Sequence, residues 1–153
     1  MGTMYLAIPL NEKSAAWLDS EGVSRPSLSA EYRNPTPREI EHALGSLAGY
    51  KYEIRRNLEQ RTWYADISWA QNPSKGPWTE IVIRDYRADD VPHEFSFSKG
   101  WLEVIFLVIE RLSRTCGPIV ITDDSCALPY LVRPGMALET MINEYNARVP
   151  ARS

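Results

Sequence analysis

Trp101-Leu102-Glu103-Val104-Ile105-Phe106-Leu107-Val108-Ile109-Glu110-Arg111-Leu112 decides the fold, because its apolar side chains point in nearly every direction around a helix. Such a helix must be covered on most sides, so it belongs at the centre of the molecule, laid against a sheet. Ser98 stands where an N-cap is wanted, and Gly117-Pro118 supplies a stop signal. Beyond it, Ile119 to Thr122 and Pro129 to Val132 read as strands on either side of the turn Asp123-Asp124-Ser125. A last helix from about Gly135 to Arg148 places Met136, Leu138, Met141, Ile142 and Tyr145 inward.

Toward the N-terminus the period changes to two. Tyr52, Ile54 and Leu58 alternate with Glu53, Arg55 and Asn57, and Trp63, Ala65, Ile67 and Trp69 alternate with Tyr64, Asp66 and Ser68. The link from Glu59 to Arg61 is short enough for an antiparallel hairpin. After the breaker-rich segment Asn72 to Pro77, Trp78 to Tyr86 reads as a central strand, and Glu94 to Phe97 as a short one. Thr36-Pro37-Arg38-Glu39 is a capping box with proline at the first helical position, opening a helix that carries Ile40, Ala43, Leu44 and Leu47 and that Gly49 is placed to end. Met4 to Ile8 is a first strand, Asn11 to Leu18 a short helix closed by Gly22, and Ser24 to Pro35 a loop. The fold class expected is α+β: a mostly antiparallel sheet against a central buried helix, with further helices flanking it.

One domain is expected over residues 1–153, ordered from 4 to 148, with 1–3 and 149–153 frayed. Seventeen basic against 20 acidic side chains leave a net charge of -3, too acidic for a protein that grips nucleic-acid backbones. The longest apolar run, Val104 to Ile109, is far below the roughly 20 residues that span a bilayer, so no membrane association is expected. With no secretory signal and only Cys116 and Cys126, which lack metal or redox spacing, the cytoplasm is the expected compartment; in an oxidising one the two thiols would be free to pair.

The strong catalytic and cofactor motifs are missing, so no catalytic residue, cofactor or metal is assigned. His42 reads as a surface residue on its helix and His93 as part of an exposed charged loop after Asp89-Asp90. Asp123-Asp124 reads as an acidic turn that a partner could meet, and Cys126 as an unreactive thiol. Trp63, Trp69 and Trp78 fall on neighbouring strands; under the central helix they are core, while on an open face tryptophan, tyrosine and arginine together suit a binding hot spot. Arg55, Arg56, Arg61, Arg84 and Arg87 form a possible basic strip that Asp66, Glu80 and Asp85 would neutralise.

The leading expectation is a non-enzymatic domain that docks another protein, a toxin or an enzyme, through Asp123, Asp124, Asp85, Trp69 and Trp78. Small size, mild acidity and missing catalytic motifs are a profile shared with bacterial immunity proteins and similar inhibitors, an analogy of profile only. The rivals are an enzyme or ligand binder assembled from scattered residues such as Asp85, His93, Asp123 and Cys126, and a structural subunit that forms a homodimer through an exposed aromatic strand face.

Overall fold

A computed structural model describes residues 4–148; the expected frayed ends, 1–3 and 149–153, lie outside that range. In chain order the elements are β1 (Tyr5–Pro9), α1 (Glu12–Ser20), α2 (Pro37–Gly45), β2 (Tyr50–Asn57), β3 (Thr62–Trp69), β4 (Trp78–Ile83), β5 (Phe95–Gly100), α3 (Leu102–Cys116), β6 (Ile119–Asp123), β7 (Tyr130–Val132) and α4 (Leu138–Arg148). Every strand pair is antiparallel and the order across the sheet is β2-β3-β4-β5-β1-β6-β7. The α+β class expected from the sequence is the one observed.

Strand alternation divides the sheet into two faces. Trp63, Ala65 and Ile67 of β3, Ile81 and Ile83 of β4, Phe97 of β5 and Ile121 of β6 point to one face. There they meet Ile40, Ala43 and Leu44 of α2, Val104, Ile105, Phe106, Val108 and Ile109 of α3, and Met141 and Tyr145 of α4. This is the main core, and α3 is its central helix. The opposite face carries a helix over one half only: α1 lays Ala15 and Leu18 against Val120 and Leu131, and the outer side of β2 to β5 is bare of helices, although Val82 and Ser96 there are buried. Helix α1 lies on this face because Val120 and Leu131 alternate to the far side of their strands and need a cover of their own.

The capping box of α2 is complete. Thr36 Oγ1 accepts from the Glu39 amide at 3.1 Å, and Glu39 Oε1 accepts from the Thr36 amide at 2.9 Å while its carboxylate grips Arg33 at 2.7 and 2.8 Å. Thr36→Ala is expected to cost about 1 kcal/mol, read by urea unfolding, because two amides at the helix start lose their order together; a loss under ~0.3 kcal/mol would show that Glu39 holds the cap without the hydroxyl.

Several boundaries differ from expectation. Helix α2 ends at Gly45 with Ser46 as C-cap, so Gly49 instead turns the chain into β2 at φ +86°. Ser98 is no cap: it lies in β5 and donates to Glu80 Oε1 at 2.7 Å, while α3 starts from Trp101 with no side-chain cap. Leu58 sits exposed in the β2-β3 turn, α4 begins at Leu138, and β4 stops at Ile83, although it is the interior strand expected, paired on both sides.

Candidate functional site

Antiparallel pairing fixes which loops share an end of the sheet. The start of β4, the end of β3, the end of β5 and the end of β6 lie together, so Trp69, Trp78, Gly100-Trp101 and Asp123 occupy one rim. Asp85 follows the other end of β4, about 23 Å from Trp78 along the strand, where Arg61 pairs with it at 3.5 Å. Of the residues expected to meet a partner, the fold therefore groups Trp69, Trp78, Asp123 and Asp124 and leaves Asp85 apart.

The rim is built around a short stretch of backbone. Pro77 O accepts from the Trp69 amide at 3.0 Å and Trp78 O from the Trp101 amide at 2.9 Å, which ties three tryptophan backbones to one two-residue segment. Trp69 lies on the helix-covered face of its strand and Trp78 on the bare one, so the tryptophans Trp63, Trp69 and Trp78 do not line up on one face as their neighbouring strands had suggested. Trp63 is fully buried core. Trp69 is half-buried under the backbone of Gly76, where a Cβ would come within 2.6 Å of the ring. Trp78 is half-buried too, with the Lys99 ammonium 5.7 Å from its ring centroid. Gly100, at φ +136°, crosses so close to Thr79 and the Trp78 carbonyl that any side chain would collide at 2.5 Å. Its sharp turn places Trp101 at the start of α3 with 50 % of its surface exposed.

Trp101 is the residue that the sequence reading missed, having been counted with the buried cylinder. The signal was available in Gly100 directly before it: a residue following a forced left-handed turn belongs to the junction, not the helix interior.

Asp123 and Asp124 sit three strands from Trp78, about 14 Å across the sheet. Asp123 Oδ1 accepts from the Ser125 amide at 3.0 Å and from the Ser125 hydroxyl, an Asx turn that leaves Asp124 exposed.

A second feature lies where α1 stops short on the bare face. Two adjoining hollows of about 590 and 630 Å³ share Leu6, Asn34, Glu94 and Phe95; one extends to Asp85, Arg87 and His93, the other to Lys13, Trp17 and Cys126. His93 is 3 % exposed, contrary to the exposed loop expected. Its amide donates to Pro35 O at 3.0 Å, its Nε2 accepts from the Arg87 amide at 3.0 Å, and its ring stacks on Tyr86 at 5.9 Å. Neither His93 Nδ1 nor Asn34 Oδ1 has a partner among the described residues. Of the scattered set Asp85, His93, Asp123 and Cys126, the first two share one hollow, Cys126 lines the other and Asp123 lines neither. Cys116 is buried, and burial pushes its thiol up to about 11, with Glu39 adding and Arg33 opposing. Among the described residues no group of three histidine, cysteine or acidic side chains is placed to hold a metal ion, and no helix is long and apolar enough to cross a membrane.

The basic strip is neutralised in part: Arg55 pairs with Asp66 and Glu80 and Arg61 with Asp85, Arg56 pairs instead with Asp89 and Glu41, and Arg84 and Arg87 make no ion pair among the described residues.

No family model, curated protein or solved structure matches the chain.

Proposed function

We propose that this protein is a non-enzymatic docking domain that binds another protein through the tryptophan rim. The observation that carries the reading is Trp101, half exposed and held by a hydrogen bond from its backbone amide to the Trp78 carbonyl, on a rim that also carries the half-buried Trp69 and Trp78, one on each face of the sheet. Tryptophan dominates binding hot spots because a large rigid ring buries much area at little entropic cost. Asp123 and Asp124 lie outside that centre, where charge speeds encounter with a basic partner more than it adds to lasting affinity. An inhibitor of the immunity type would be one member of this class. A second reading, a small-ligand binder, is favoured by the paired hollows beside the unpartnered polar atoms of Asn34 and His93, since buried polar groups normally find a partner in protein, water or ligand.

A photo-crosslinking side chain in place of Trp101 should capture one protein that the same group in place of the exposed Glu21 does not. With that partner purified, Trp101→Ala should weaken affinity at least about tenfold, and Asp123→Asn/Asp124→Asn should slow association about threefold at low salt and less at high salt. Equal capture at both positions, or unchanged affinity in Trp101→Ala with native circular dichroism, would remove the rim from the interface.

A further inference from the structure

The sheet has two edges of very different character. At one end β7 is three residues long, buried, and packed against α3 and α4. At the other, β2 runs for eight residues in unbroken register with β3, without proline or bulge, and six of the eight are exposed, while Tyr50 and Ile54 are half-buried against the core. Proteins usually blunt such an edge by shortening, kinking or covering it.

Hydrogen-bond parity shows what the edge offers. The Trp69 amide turns toward Pro77, on the β4 side, whereas the Ala70 amide bonds Gly49 O at 2.9 Å. Alternating from there, Lys51, Glu53, Arg55 and Asn57 direct their backbone groups to β3, and Tyr52, Ile54 and Arg56 direct theirs into solvent.

The side chains carry a second observation. Glu53 stands opposite Asp66, and Asp66 opposite Glu80, so three carboxylates lie in a row across β2, β3 and β4. Arg55 serves two of them, at 3.0 Å to Asp66 and 3.4 Å to Glu80. Glu53 has no ion pair among the described residues. Directly opposed like charges destabilise a sheet, so the row lacks one cation at its outer end.

We propose that a second copy of this chain supplies it, by antiparallel pairing of β2 with β2 about a two-fold axis at Ile54. In that register Glu53 faces Arg55 of the other copy, twice by symmetry, and Tyr52 faces Arg56. The solvent-directed groups of Tyr52, Ile54 and Arg56 then form about six backbone hydrogen bonds. Glu53 and Arg55 fall at non-hydrogen-bonded positions, where opposed side chains come closest. Sliding one copy by two residues sets Glu53 against Glu53 and Lys51 against Arg55, or, the other way, Arg55 against Arg55. A slip by one turns the faces over. The charges thus block the neighbouring registers and favour one.

The test is light scattering across a dilution series of the full chain. A concentration-dependent dimer is expected; Glu53→Arg and Arg55→Glu should each weaken it about tenfold, and the double swap Glu53→Arg/Arg55→Glu should restore it. Because Arg55→Glu also removes two ion pairs within the chain, a second measurement stands apart from it. In a Cys126→Ser background, Ile54→Cys should form an intermolecular disulfide readily, since hydrogen-bonded partners lie about 5.5 Å apart at Cα, and Lys51→Cys should do so far more slowly. A monomer throughout, a double swap as weak as its parents, or equal cross-linking at both positions would overturn the proposal.

Discussion

A Phe106→Ala chain is expected to be about 4 kcal/mol less stable than the native one and to melt roughly 12 °C lower. Phe106 is fully buried on α3, with its ring edge-on to Tyr130 of β7 at 5.7 Å and to Tyr145 of α4 at 5.5 Å. Tyr130 and Tyr145 also meet edge-on at 5.9 Å, so three rings from three elements close on one another. Removing the central ring costs its transfer from water, leaves a cavity that two large neighbours collapse into poorly, and takes away two favourable ring contacts. Tyr130 is fixed further by its hydroxyl, which donates to Glu144 Oε1 at 2.7 Å, and this limits relaxation into the gap. Phe106→Leu, which keeps most of the volume, should lose much less. Guanidinium unfolding followed by tryptophan fluorescence measures both; a loss below ~1.5 kcal/mol for the alanine variant would mean that the three rings do not act as a closed cluster.

The second large effect is expected at Glu110, a carboxylate 3 % exposed on α3. Burial alone would raise its pKa. Arg114 at 2.7 and 2.8 Å, the Gly135 amide at 3.0 Å and Arg111 at 2.8 Å outweigh burial and hold it below its ordinary value of 4.5. Arg111 and Arg114 both reach solvent, so they recover hydration when the carboxylate is removed, but the Gly135 amide loses its acceptor at the turn that leads into α4. Glu110→Ala should therefore destabilise by about 3 kcal/mol at pH 7. The sign of the pH dependence follows from the lowered value: stabilisation by the ionised group is complete above the unfolded pKa and is lost as pH falls through the folded one. The gap between native and variant stability should hold above about pH 5 and narrow below 4.5. A gap independent of pH would assign the loss to packing alone.

What could be read from the sequence was what neighbouring residues decide between themselves. The Thr36 to Glu39 box, the hairpin across Glu59 to Arg61, and the stop at Gly117 each depend on groups a few residues apart. Ser98 failed because the same hydroxyl suits a cap and a cross-strand bond, and only the position of Glu80 on β4 chooses between them. His93 failed for a related reason: the charged residues beside it imply solvent, while Pro35, Arg87 and Tyr86 close around it. The candidate rim was half visible. Trp69, Trp78, Asp123 and Asp124 could be named from their place at strand ends, but their assembly on one side and the separation of Asp85 follow from strand order, which no local pattern encodes. The cover over Val120 and Leu131 was hidden likewise, since alternation shows that a strand has two apolar faces without naming the helix that reaches the second.

The position of β1 between β5 and β6 carries a consequence for how the chain is made. Strands β2 to β5 zip in sequence as a meander, but β1, synthesised first, has both its neighbours more than 80 residues downstream. At ordinary ribosomal speed it waits on the order of ten seconds for β5 to emerge. Throughout that interval Leu6 and Ile8 are without the strands that will flank them, so β1 can take its place in the sheet only after the β2 to β5 meander has been made.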